Sequence, residues 1–441
     1  MKPPARTRSS AQPAALPSTG GVGLARAEPA PPLGPWGILR IRPFLVLYVS
    51  AAVVFLGVMA QTVARGWLAF ELTGSNAALG GVLLAFGVTM LVATPWGGVA
   101  ADRLPKRLVL QVALSLLAVS SAGVGLAVAV HVVEYWMLLV ASALQAVGFA
   151  LFNPARMAFL AELVPRGSIP VAVSLLLVNA EVNRVVGPAI AGLVIGSLSF
   201  GTAAVFLATG MLSSVGLLLT AALPPGRRVG EASDRSPLTE LADGLRYVRR
   251  RPDLLAPLLC GLGVALVGLP YLAFLPTVAS DLFGLGSAGY GILSAASAVG
   301  AVVTGLLLGR RSYRRSETRV MIVAGATCGV ALGALAVAQL FAVAVGALLV
   351  VGGAMLAFQT TDQSVLIARS AMEYHGRIQG LIMLSWGAFG IAALPLGVLA
   401  DAVGLRWTLG GMGLAVVLVT GVFAVVSRRG QASSDRLRDL G

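Results

Sequence analysis

Glu181 and Asp362 are the acids best placed to do chemistry in this chain, because each stands well inside a long apolar stretch. Arg184 follows Glu181 at a spacing of three, so the two share one helix face and can pair. Gln359, Asp362 and Gln363 make one polar face by the same spacing. Gln61 and Arg65 form a further pair at a spacing of four, and Asn179 and Asn183 another. A charge held in lipid is costly, so it pairs, faces a cavity or exchanges a proton. Glu181 therefore has two readings. It is a proton site assisted by Arg184, or half of a neutralised pair that pins its helix to a neighbour. Asp362 has no base at helical spacing within its own stretch, which makes it the better candidate for proton exchange. Trp67, Gln145, Tyr271 and Trp386 are candidates to line a cavity beside these groups, or to serve as packing and interface anchors.

The elements that position these residues follow from composition. The 441 residues are 57% hydrophobic and 11% charged. A soluble chain carries about 25% charged residues, so the natural solvent here is lipid. The net charge of +14 comes from bases clustered between apolar runs. That pattern excludes a nucleic-acid face and points to anionic lipid headgroups. Cys260 and Cys328 lie inside apolar runs as core residues and form no disulfide framework. His131 and His375 fall on opposite sides, so no histidine metal site assembles. The absence of a GxxxxGK[ST] loop removes ATP as a driver. A membrane sensor or enzyme is the alternative from another class, and no residue here supports it. No cofactor is expected.

Twelve apolar runs reach the ~20 residues that a membrane-crossing helix needs. They cover 44–67, 77–100, 108–130, 135–158, 168–196, 202–223, 254–281, 286–308, 319–338, 340–368, 376–400 and 405–427. On this topology 29 of the 32 bases fall on one side, leaving Arg65, Arg184 and Arg406. By the positive-inside rule both termini are cytoplasmic, and the arginine-, alanine- and glycine-rich composition points to a bacterial cytoplasmic membrane. Counting from Arg166, Glu181 lies about 22 Å deep, and Asp362 lies about 10 Å in from Arg369. The expected organisation is a disordered, proline-rich tail over 1–40, a six-helix bundle over 41–223, a linker over 224–252, a second bundle over 253–428 and a tail over 429–441.

The stretch "WGGVAADRLPKR" closes the second run. Its bases explain themselves as headgroup partners, whereas Asp102 does not. Gly98, Asp102, Arg103, Lys106 and Arg107 resemble the signature loop of the major facilitator superfamily, with Pro105 in place of its usual glycine. Gly187, Pro188 and Gly192 are similar to part of the antiporter motif of the drug-efflux branches, with Asn183 where a glycine is usual. "WLAFELTGS", "NPARMAFLAELVP" and "RVVGPAIAG" resemble the bacterial branch of enterobactin exporters and macrolide-efflux proteins. An internal repeat agrees. A shift of 207 places Gly98 on Gly305, Arg103 on Arg310, Arg107 on Arg314 and Pro188 on Pro395.

The resemblance implies an all-α integral membrane protein of twelve helices in two pseudo-symmetric six-helix bundles, with the substrate cavity between them. It implies a monomeric secondary transporter that exports a small amphipathic compound (a drug, siderophore or metabolite), driven by the proton gradient. A proton-coupled importer is the alternative. It further implies that Asp102 is a latch. The carboxylate would cap the start of the eleventh helix near Gly376 and pair with Arg156 when the cytoplasmic side is closed.

Overall fold

The computed structural model describes residues 34–198, 200–225, 237–310, 317–371 and 374–438. The described residues are helical almost throughout, because lipid leaves backbone polar groups no partner outside the segment itself. The first six long helices are α2 (Arg42–Thr73), α3 (Asn76–Arg103), α4 (Lys106–Ala129), α5 (Tyr135–Leu163), α6 (Ile169–Ser197) and α7 (Gly201–Ala221). They follow a short α1 (Pro35–Leu39). An amphipathic α8 (Pro237–Arg249) precedes the second set. That set runs α9 (Pro252–Gly268), α10 (Tyr271–Thr277), α11 (Gly286–Arg310), α12 (Glu317–Val337), α13 (Phe341–Arg369), α14 (His375–Val403) and α15 (Leu405–Arg438). Among the described residues eleven helical spans are long and apolar enough to cross a membrane, and Phe389–Val403 of α14 is a shorter apolar helix.

Three differences from the sequence reading have physical causes. The tail expected to reach residue 40 is described only from residue 34, and α1 is already ordered there by a proline at its start and by burial of Ile38. The seventh run is not one helix. Leu269 and Pro270 separate α9 from α10, and a π-helical turn, Val278–Leu282, ends it. Pro270 cannot donate to the preceding turn, so the helix breaks there. Finally α15 continues past its apolar part to Arg438.

The first set packs as α2 against α6 and α7, α3 against α5, and α4 against α5 and α7. In the second set α11 lies on α13, α12 on α13 and α15, and α9 on α13, α14 and α15. The two bundles meet through α3 with α14 and α6 with α11. The outer helices expose large apolar side chains such as Val119, Leu218, Val330 and Leu418. Such surface suits lipid contact.

Call the face with Arg103, Arg251 and Arg369 the basic side, and the opposite one the far side. Close approaches between the bundles gather on the far side. Gly87 faces Gly387 and Gly390 across the α3–α14 contact, and Gly192 faces Gly291 across α6–α11. Glycine is required at these points because any Cβ would strike backbone. By contrast, a Cβ on Gly98, near the basic side, would meet nothing within 4 Å.

Candidate functional site

Two buried polar clusters stand out, one in each bundle. In the first, Gln61 Nε2 donates to Ser121 Oγ at 2.6 Å and Gln145 Nε2 donates to Gln61 Oε1 at 2.7 Å. One turn on, Arg65 Nη1 donates to Ser142 Oγ at 3.1 Å. The spacing of four on α2 turns Gln61 and Arg65 to one face, against α4 and α5. Arg65 is 5% exposed, and its Nε and Nη2 have no hydrogen-bond partner.

The second cluster is built on α13. Asp362 is 8% exposed, and its Oδ1 has no hydrogen-bond partner. The carboxylate lies against Gly261 of α9, where the missing side chain makes room for it. Gln359 and Gln363, on the same face, line a pocket with it that Leu258, Phe358 and Ile382 close from the sides. The pocket volume is about 40 Å³, room for a solvent-sized species and not for a drug-sized one. The nearest base along α13, Arg369, is turned elsewhere. Its Nη1 donates to Asp253 O at 3.2 Å and its Nη2 to Thr318 Oγ1 at 3.1 Å. The polar face read from sequence is therefore real, and among the described residues no base pairs with its carboxylate.

The residues of α6 divide. Asn183 Nδ2 donates to Asn179 Oδ1 at 2.7 Å, and Asn179 Nδ2 donates to Tyr48 O at 3.2 Å, so this face is turned to α2. Arg184 is half-buried. The side chains of Glu181 and Asp102, like that of Trp386, lie outside the described residues. Gly187 allows Met59 and Ala60 of α2 to approach, and Pro188 sits inside α6 as Pro395 sits inside α14. Tyr271 is buried with its hydroxyl 2.6 Å from Ser297 Oγ, and Trp67 packs on Phe70.

The basic-side motif is placed differently from the sequence reading. Lys106 does not face headgroups. It is buried at the start of α4, with Nζ 2.6 Å from Glu162 Oε1 near the end of α5. Arg107 Nη1 donates to Leu223 O at 3.0 Å, just past α7, and only Arg103 is exposed. Both corrections have one cause: α4 begins at Lys106, so its first turn packs inside the bundle. Arg156 is buried over the rings of Phe55 and Phe152, 4.9 and 5.5 Å from their centroids. Its Nη2 donates to Asn153 Oδ1 at 3.4 Å, while Nε and Nη1 have no partner.

The family model described as "Transmembrane secretion effector" matches residues 33–437, nearly the whole described chain. The chain belongs to this family of major facilitator transporters. Among curated relatives, the staphyloferrin A transporter of Staphylococcus aureus is 23% identical over 389 residues, covering 87% of this chain and 96% of the relative. The multidrug efflux pump Tap of Mycolicibacterium fortuitum is 27% identical over 405 residues, covering 87% and 95%. Among solved structures, a mutant of the nucleoside transporter NupG superposes with a TM-score of 0.74 at 13% identity, covering 87% of this chain and 99% of that one. A bacterial homologue of the human lysosomal transporter Spinster gives 0.71 at 16% identity, covering 88% and 97%. These structures establish the shared fold. The major facilitator protein described here is a multi-pass secondary transporter of small molecules in a lipid bilayer, and not an enzyme.

Proposed function

We propose that the protein exports a small, partly apolar compound from a bacterial cell in exchange for protons, with both termini cytoplasmic and the basic side facing the cytoplasm. One observation carries the coupling: Asp362 is buried beside two glutamines in a solvent-sized pocket, with one carboxylate oxygen unpartnered and the base of its own helix bonded elsewhere. A buried carboxylate in such a place needs a cation, and a proton is the smallest. The pocket is too small for the cargo, which leaves the space between residues 41–223 and 253–428 for the compound and the pocket for the coupling ion. Export is supported by the name of the Mycolicibacterium relative, an efflux pump. The staphyloferrin A transporter widens the class of cargo to polar chelators.

The test uses inside-out membrane vesicles, supplied from the medium with a fluorescent efflux dye or a siderophore and energised by pumping protons into the lumen. Uptake into such vesicles that collapses with an uncoupler supports coupled export. Asp362→Asn keeps the shape and hydrogen bonding but cannot ionise. It should abolish gradient-driven accumulation while sparing downhill exchange. Full gradient-driven accumulation by Asp362→Asn refutes the coupling role. Accumulation only in right-side-out vesicles makes the protein an importer.

A further inference from the structure

The far side of the bundle is closed by a carboxylate that neither the signature motif nor the polar clusters include. Asp401, in the last turn of α14, lies over the first turn of α3. Ser75 Oγ donates to Asp401 Oδ2 at 2.7 Å, and the Ala77 amide donates to the same oxygen at 2.9 Å. The Asn76 amide and Asn76 Nδ2 both donate to Oδ1 at 2.9 Å. Each oxygen thus takes two donors, all from the other bundle. Thr277 joins them: its Oγ1, at the end of α10, donates to Asn76 Oδ1 at 2.7 Å. Helix N-termini leave amides without partners and carry partial positive charge, so an anion is favoured there. The unusual feature is the source of the anion, since a cap normally comes from the helix's own flanking residue.

The sequence around Asp401 repeats the basic-side motif. At a shift of 299, Gly98, Val99, Ala101, Asp102 and Arg107 fall on Gly397, Val398, Ala400, Asp401 and Arg406. The arginines of the two copies do the same work. Arg107 Nη1 binds the carbonyl of Leu223 just past α7, and Arg406 Nη1 binds those of Ala336 in the last turn of α12 and Ala338 just past it, at 2.9 and 2.8 Å. Both arginines open a helix that packs beside the one whose end they bind. The two copies are thus equivalent in place as well as in sequence, one at each face of the antiparallel pair α3 and α14.

We infer that Asp401 is a far-side latch: its carboxylate, seated on the α3 N-terminus, stabilises the state in which the bundles are closed on the far side, and it must let go each time that side opens. The latch rests on alternating access and not on proton coupling or on the direction of transport. Glycine contacts on this face bring the helices near enough for the carboxylate to reach, as where Gly397 meets the Asn76 backbone.

The test is an interspin distance between labels on cysteines placed at exposed Leu72 and Ala402, one on each bundle, with the buried Cys260 and Cys328 changed to alanine. Asp401→Asn should move the balance between far-side closed and open states by about tenfold toward the open state. Transport should slow while membrane yield holds. Ser75→Asp, added to Asp401→Asn, separates latch from cap. Aspartate at the helix's own N-cap restores the charge at the helix end without crossing between bundles. It should recover thermal stability but not the closed distance. If Ser75→Asp recovers both the distance and transport, Asp401 is only a helix cap and the latch is overturned. An unchanged distance in Asp401→Asn overturns it as well. Should that variant fail to reach the membrane, Asp401→Glu keeps the charge and displaces it, and an unshifted distance there overturns the latch equally. A shifted distance with no transport by the unmodified protein strikes the transport reading and leaves the latch standing.

Discussion

An added methyl group at Gly87 measures how tightly the two bundles are fitted. Its Cβ would lie 2.5 Å from the Gly387 carbonyl oxygen and 3.0 Å from Gly390 Cα. Unstrained contacts between such atoms fall at about 3.5–4.0 Å. Gly87→Ala therefore pushes α3 and α14 apart by roughly 1 Å at this level. Both obstacles are backbone atoms, so no side chain can swing away, and overpacking of this kind costs about 1–3 kcal/mol. The cost falls on the state closed at the far side, since with the bundles parted there the methyl group has no opposing helix. A bias of about 1–3 kcal/mol corresponds to a shift of roughly 5–150-fold in the balance of states. The labelled pair at positions 72 and 402 reads that balance directly, and Gly346→Ala is the control because its Cβ would meet nothing within 4 Å. The expected result is a second, longer distance in Gly87→Ala and none in the control. A single unshifted distance in Gly87→Ala, with unchanged melting, would refute the claim that backbone contact at glycine sets the spacing.

On the latch role that the family resemblance implies, Asp102→Asn should slow transport without lowering membrane yield; equal transport rates and equal cysteine accessibility on the basic side would make Asp102 a surface charge. Gln145→Leu strands the Gln61 Oε1 acceptor inside the first bundle and should destabilise by about 1–3 kcal/mol in a detergent melt, with Gln61→Leu added to it recovering part of the loss. Glu162→Gln removes the carboxylate facing buried Lys106 and should cost about 1–3 kcal/mol, below the usual range for a buried pair because Glu162 is 23% exposed; an unchanged melting temperature would show that water already screens it.

Helix number and limits were legible because a bilayer sets both the length and the apolarity of a span, and helix ends such as Asn76 and Ala129 lie within a residue of the runs read from composition. The break at Pro270 was visible as a residue but not as an event, since prolines 95, 154, 188 and 395 sit inside unbroken helices. A proline breaks or bends a helix according to what its neighbours offer the freed carbonyl. At the candidate site, spacing found the face of Gln359, Asp362 and Gln363, because i and i+4 positions need only one helix. It missed the partners that come from other helices: Gly261 beneath Asp362, Ser142 beside Arg65 and Glu162 against Lys106. Asp401 went unread for another reason. The repeat was sought between equivalent loops on the basic side, at a shift of 207, and this copy lies on the opposite face.

The paired motif has a consequence for biogenesis. The copies share Gly, Val, Ala, Asp and Arg, but Arg103 and Lys106 on the basic side correspond to Ala402 and Leu405 on the far side. Asp401 and the final arginine of each copy act within the folded protein, on helix ends that look alike from either leaflet. The two additional bases also act earlier, during insertion, when retained positive charge decides which way a hairpin enters the bilayer, and Lys106 afterwards packs against Glu162. One short segment thus holds two separable instructions, one for closing a face and one for addressing it. An ancestral hairpin could keep the first in either orientation and acquire the second afterwards, at only two positions.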